Sequence, residues 1–259
     1  MLKLLLYLLA ITVAEAIVII LEPALGLVTS SIIGISCHVV ILFVVILDAA
    51  LTDRYYHERL VLSLAIVPLI RIVSLSLPLA EIPQVWQYPI IYVPLLAAAI
   101  VLMRILEYKP SELGVSFGFL PLQLGIGVLG LGIGVAEYYV LMPGSLASEL
   151  SWQAVWLPAL VLLLTTGFVE EFIFRGVLQK AATDALGGWG IVYVSYIFAV
   201  LHIGWMAADS PYALLEIVLV FVIALFFGWV VKKTGSLLGV TLAHGITNVI
   251  LLVIAPLLF

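Results

Sequence analysis

The chain has 259 residues, of which 65% are hydrophobic and 10% charged, with a formal net charge of -5 and a mean hydropathy of +1.34. A soluble domain carries about 25% charged residues, so this composition excludes one and indicates a polytopic membrane protein. No basic patch accompanies the acidic balance, which excludes nucleic acid as a partner, and a single cysteine, Cys37, excludes an intrachain disulfide or a cysteine-rich metal centre.

A spanning helix needs about 20 apolar residues, and nine segments meet that measure, which predicts an all-α bundle of eight or nine transmembrane helices. They cover roughly 2–21, 26–50, 60–80, 88–106, 120–142, 152–182, 189–206, 212–231 and 236–258. The first has Lys3 at its start and no small-x-small cleavage site, so it reads as a retained signal anchor. The second contains Cys37, a small buried hydrophobe, with His38 and Asp48, to which the sequence assigns no role. Arg71 sits in the middle of the third and needs an acid, for which Glu15 and Glu137 are the candidates; the pair reads as structural glue. Pro94 interrupts the fourth segment. The fifth is dense in glycine (Gly125, Gly127, Gly130, Gly132, Gly134), which permits close helix contact. The stretch from Pro110 to Phe119 reads as a cytoplasmic connection of interfacial character, and Trp86, Tyr88 and Trp152 suit an interfacial belt. With no internal repeat or soluble insert, the chain reads as one integral membrane domain, 1–259. Residues 1–149 carry no recognised motif, and 150–259 form a motif-bearing catalytic core.

Basic residues fall on alternate connections, at Lys3, Arg54 and Arg59, Arg104 and Lys109, Arg175 and Lys180, and Lys232 and Lys233. The connections around Glu22, Glu81, Glu149 and Asp209 contain none. By the positive-inside rule this predicts nine spans with a cytoplasmic N-terminus.

Charge inside the apolar segments is the functional signal, because a carboxylate or guanidinium facing lipid costs at least ~2.5 kcal/mol and must turn toward protein or water. The sixth segment holds Glu170, Glu171 and Arg175; the seventh holds Phe198-x-x-x-His202; the ninth holds His244-x-x-x-Asn248. Counted from the cytoplasmic ends, Glu170 lies ~15 Å in, His202 ~20 Å, and His244 with Asn248 ~12 to 18 Å, a common depth. Glu171 and Arg175 are spaced i,i+4 with the acid first, the favourable order for a helix-face pair. Glu170 projects onto another face and is left for chemistry. His244 and Asn248 share a face and can present two hydrogen-bond donors side by side.

A carboxylate and an imidazole in a shielded pocket can hold a water and take its proton as it attacks a carbonyl. A second histidine and an asparagine can stabilise the oxyanion that develops. The set suits peptide-bond hydrolysis, and Glu170, His202 and His244 equally match a divalent zinc site of two histidines and one glutamate. An ion-coupled transporter, with these residues as a relay, is the alternative class. It predicts repeated halves with broken helices in matching positions, and the ionisable cluster lies in the last 110 residues only.

The pattern Glu-Glu-x-x-x-Arg, then Phe-x-x-x-His, then His-x-x-x-Asn resembles that of the CPBP or Abi intramembrane proteases, a family that includes the type II CAAX prenyl endopeptidases and bacteriocin-processing or immunity-associated proteins. It is matched by Glu170, Glu171 and Arg175, by Phe198 and His202, and by His244 and Asn248, over residues 150–255. The resemblance implies that Glu170 and His202 activate water and that His244 and Asn248 stabilise the oxyanion, with Glu171, Arg175 and Phe198 in support. It implies a membrane-associated peptide or protein substrate, with a prenylated CAAX C-terminus as the sharpest candidate, in a membrane-lipid setting. The family is often classed with metalloproteases, while a metal-free glutamate mechanism is argued for the prenyl branch; the metal-free reading is favoured here. Some members act as immunity proteins or scaffolds without cleavage. The resemblance therefore leaves a non-catalytic membrane scaffold as an alternative.

Overall fold

The structure is a computed structural model that describes residues 2–51, 55–77, 81–203 and 212–259. It is all-α, with no strand among the described residues. The helices are α1 (Leu2–Leu25), α2 (Leu27–Ala50), α3 (Tyr55–Ser63), α4 (Ile66–Ser76), α5 (Gln84–Ile105) and α6 (Leu120–Leu141). They continue with α7 (Trp152–Leu186), α8 (Trp189–Leu201), α9 (Ala213–Thr234) and α10 (Leu238–Leu258). Eight helices among the described residues are long and apolar enough to cross a membrane, α3 and α4 counting as the single span His57–Ser76. The ninth expected segment, 189–206, corrects to α8, whose 13 residues reach only ~20 Å of the ~30 Å hydrocarbon core. Its residues 204–206 lie outside the described residues.

Two prolines act differently. The turn at Leu64–Ala65 that divides α3 from α4 lies just before Pro68, whose missing N–H and ring disfavour a helical bond to the carbonyl four residues back. Tight bonds take over there, Ala65 N to Leu62 O and Val67 N to Leu64 O, each 3.1 Å. By contrast α5 runs unbroken through Pro89 and Pro94, so the interruption expected at Pro94 does not occur; proline is tolerated in membrane helices where neighbouring groups satisfy the freed carbonyl.

The described chain falls into two compact units, each built from two stretches of sequence. The first takes Met1–Leu77 and Leu178–Leu225. In it α1 packs on α2, α2 on α3 and α4, and α8 on α1 and on the C-terminal end of α7. Gly190 makes the last contact possible, since a Cβ there would lie 2.5 Å from the Ala182 carbonyl carbon. Arg71 finds its acid within this unit: Nε donates to Glu15 Oε1 at 2.7 Å, and both side chains are buried. His38 Nε2 lies 3.0 Å from the same oxygen without the alignment of a hydrogen bond.

The second unit takes Pro78–Val177 and Phe226–Phe259. Its centre is α10, held between α6 and the middle of α7. On α6 the glycines divide by face. A Cβ at Gly127 would lie 2.9 Å from Leu242 Cβ, one at Gly130 would lie 2.3 Å from Ala243 O, and one at Gly134 would lie 2.6 Å from Thr247 O. Gly125 and Gly132 have nothing within 4 Å. On the other side Gly167 of α7 would set a Cβ 2.9 Å from Thr241 O. Backbone-to-backbone approach of this kind is how membrane helices associate where water supplies no hydrophobic drive.

The connection before α6 fastens the start of α10. Gly114, left-handed at φ 79°, turns its carbonyl to accept Leu237 N at 2.8 Å. Ser236 Oγ donates to Ser116 O at 2.6 Å, and Gln123 Oε1 accepts Gly239 N at 2.7 Å. The bonds from Leu237 N and Gly239 N occupy backbone N–H groups that a helix start leaves without partners. Near the other end α10 widens into a π-helical turn at Ile250–Ile254, where Leu252 O accepts Leu146 N at 2.7 Å and Val253 O accepts Ser145 Oγ at 3.0 Å.

Gly130→Val should therefore lower the unfolding temperature of the purified protein in detergent, by overpacking that costs about 1–3 kcal/mol. Gly132→Val should leave it unchanged. Indistinguishable melting of the two variants would contradict the α6–α10 contact described above.

Candidate active site

The polar residues of the sixth segment stand on a distorted part of α7. Leu163–Glu170 and Phe172–Leu178 are both π-helical, a widened geometry common at functional sites. The local sequence supplies a cause. Thr165 Oγ1 donates to Val161 O at 2.6 Å and Thr166 Oγ1 to Leu162 O at 2.8 Å, so each hydroxyl competes for a carbonyl that an α-helix gives to an amide. Pro158, one turn earlier, and Gly167 weaken regular winding further.

This stretch directs the two neighbouring carboxylates to different partners. Glu171 is fully buried, and its Oε1 accepts Arg175 Nη1 at 3.0 Å. The same oxygen lies 2.7 Å from His244 Nδ1 of α10. A carboxylate can only accept, so Nδ1 carries the proton of that bond and Nε2 faces the other way. Phe227 of α9 closes the group: its ring lies 6.2 Å from the His244 ring and 5.9 Å from the Arg175 guanidinium carbon, the cation–π range. Arg175, Glu171 and His244 thus form one chain in which the ion pair fixes the imidazole.

Glu170 turns to α5. Its Oε1 accepts the Tyr92 hydroxyl. Its Oε2 has no hydrogen-bond partner among the described residues and lies 3.8 Å from His244 Nε2. That gap is too wide for a direct bond. Asn248 follows His244 by one turn of α10, half-buried, and its amide makes no hydrogen bond with a described residue. The second unit therefore brings Glu170, Glu171, Arg175 and His244 together, with Asn248 on the same helix.

His202 and Phe198 belong to the first unit. His202 ends α8, with Nδ1 2.7 Å from Phe198 O, so the carbonyl takes the Nδ1 proton and leaves Nε2 as the acceptor nitrogen. The Phe198 ring is buried and packs on the imidazole at 4.5 Å between centroids.

Two contributors escaped sequence reasoning. Tyr92 lies in a different helix from every motif residue, and Phe227 is one of 11 phenylalanines; neither carries a signal in spacing or in local composition. Among the described residues no three His, Cys, Asp or Glu side chains converge as a metal site requires. Glu171, the acid beside His244, already serves Arg175. No step below is routed through a metal.

Glu171→Ala should destabilise the protein by about 3–5 kcal/mol, because it strands a buried guanidinium. Removing both partners, as Glu171→Ala with Arg175→Met, should recover much of that loss in the same unfolding measurement. A double variant as unstable as the single one would mean that the ion pair is not the source of the cost.

Neither a curated protein nor a solved structure matches the chain. Residues 151–250 match the family model described as Type II CAAX prenyl endopeptidase Rce1-like. That match spans every motif residue from Glu170 to Asn248 and supports a CPBP/Abi-family protease over residues 151–250 of this membrane protein.

Proposed function

We propose that the protein is an intramembrane endopeptidase in which Glu170 activates the water that hydrolyses a peptide bond. The observation that carries this reading is the asymmetry of the two adjacent glutamates. Glu171 Oε1 serves both Arg175 and His244, whereas Glu170, bonded through Oε1 to the Tyr92 hydroxyl, sets Oε2 3.8 Å from the His244 Nε2 edge.

In the reaction Glu170 accepts a proton from water as the water oxygen bonds to the scissile carbonyl carbon. His202, whose Nε2 is the acceptor nitrogen once Nδ1 serves Phe198, is the second group assigned to that water, on its place in the motif. The carbonyl oxygen becomes an oxyanion. The Asn248 amide donates to it, and so does His244 from Nε2 when the imidazole is protonated, its charge balanced by Glu171. Collapse of the tetrahedral intermediate breaks the C–N bond. The proton held on Glu170 passes to the leaving amine, giving a carboxylate and a free amine.

The substrate we assign is a membrane-associated peptide or protein segment, with a prenylated CAAX C-terminus as the leading candidate from the family match. Lys3, Arg54, Arg59, Arg104 and Lys109 support a cytoplasmic N-terminus.

Purified wild type and Glu170→Ala, in bilayers, should be compared on fluorogenic farnesylated CAAX peptides and their unprenylated counterparts, with and without a chelator. Cleavage by wild type that survives chelation, and a loss of 10²-fold or more in Glu170→Ala, is the expected result. Cleavage retained by Glu170→Ala would remove that residue from the mechanism. Failure to cleave any peptide would favour a non-catalytic role.

A further inference from the structure

Activation of water by Glu170 requires more than a carboxylate in the right place; the carboxylate must also hold an oxygen lone pair toward the water. A glutamate side chain has a broad, roughly two-fold terminal torsion, and rotation away from one orientation turns the lone pairs off the reacting position. The Tyr92 hydroxyl removes this freedom. It reaches Glu170 Oε1 from α5, 78 residues away in sequence, and the bond leaves Oε2 on the side of His244 Nε2. His244 in turn is held by Glu171 through Nδ1. Both groups that border the 3.8 Å gap are therefore fixed from behind, one by tyrosine and one by the ion pair.

The location of Tyr92 supports a positioning role over simple packing. α5 packs against the π-helical Leu163–Glu170 stretch, so the hydroxyl comes from an element that already braces the turn bearing Glu170. Tyr92 is half-buried among apolar neighbours that include Val161, Leu162 and Val253, where a hydroxyl loses hydration and is retained at a cost unless it has a partner. Tyr88, one turn earlier on the same helix, is buried as well but makes no hydrogen bond to Glu170.

We propose that Tyr92 is a positioning residue of the peptidase, setting the Glu170 carboxylate so that Oε2 is the oxygen that takes the proton from water. The proposal rests on the reading of Glu170 given above. It involves no covalent step of its own, since Tyr92 keeps its proton throughout and donates it only as a hydrogen bond.

The test compares wild type, Tyr92→Phe, Tyr88→Phe and Glu170→Ala on whichever peptide the wild type cleaves, and adds a thermal-unfolding double-mutant cycle of Tyr92→Phe with Glu170→Gln. Tyr92→Phe should lower kcat by about tenfold or more, the effect of losing a hydrogen bond to a charged group, while KM stays within about twofold because the loss falls on the reacting group and not on binding. Tyr88→Phe should leave both unchanged. The unfolding cycle should show coupling, the Tyr92→Phe effect shrinking once Glu170 is Gln. A wild-type kcat in Tyr92→Phe, with Glu170→Ala inactive, would overturn this proposal alone. Absence of coupling in the cycle would also overturn it, by showing that the contact carries no energy. Activity retained in Glu170→Ala, or no peptide cleaved by wild type, would bring down the water-activation reading and this proposal with it.

Discussion

The ion pair between Glu171 and Arg175 is the constraint on which the site depends. An isolated guanidinium in the bilayer interior is expensive by any estimate, and one buried beside a carboxylate 3.0 Å away is tolerable only while that geometry persists. The requirement couples two helices, because the oxygen that neutralises Arg175 also accepts His244 Nδ1 from α10. Anything that moved α10 relative to α7 would open a bond in a medium where no water competes to replace it. The imidazole of His244 is therefore held by electrostatic need as well as by packing, and its Nε2 is presented toward Glu170 as a consequence.

Packing supplies the tolerance that such an arrangement demands. Hydrogen bonds of 2.7 to 3.0 Å between helices leave little room for drift, and α10 gains its precision from small residues on either side. Gly130 and Gly134 of α6 approach the carbonyls of Ala243 and Thr247, which flank His244 in the chain, while Gly167 of α7 approaches Thr241. Gly245 repeats the device from α10, where a Cβ would meet Leu163 at 2.6 Å. The π-helical winding of α7 belongs to the same logic. By widening the turns on both sides of Glu171, it sends adjacent glutamates to different partners, one to Arg175 and His244 and one to Tyr92.

The first unit shows that a buried charge cluster does not by itself mark a reaction centre. Glu15, Arg71 and His38 are as deeply buried as the motif residues, and Arg71 is paired as closely. The difference lies in the partner, a guanidinium for Glu15 and a hydroxyl for Glu170. In the second unit Glu170 Oε2 stands 3.8 Å from the His244 imidazole edge, and Asn248 follows His244 on α10 with an amide that bonds no described residue.

Much of this was legible in the amino-acid sequence. Hydropathy alone determined a polytopic all-α membrane protein, because a bilayer leaves the backbone no alternative to helices or a closed barrel, and the charges placed inside apolar segments pointed to Glu170, Glu171, Arg175, His202 and His244. The i,i+4 spacing determined the Glu171–Arg175 pair, a local matter within one helix. Only the tertiary structure decided between Glu15 and Glu137 for Arg71, reduced α8 to 13 residues, carried α5 through Pro94, joined Glu171 to His244, and brought Tyr92 to Glu170. Each of these depends on how residues far apart in the chain approach across helices. Periodicity and hydropathy describe a helix and its faces, but they do not say which face meets which neighbour or at what height, and a hydrogen bond needs both to within a few tenths of an ångström.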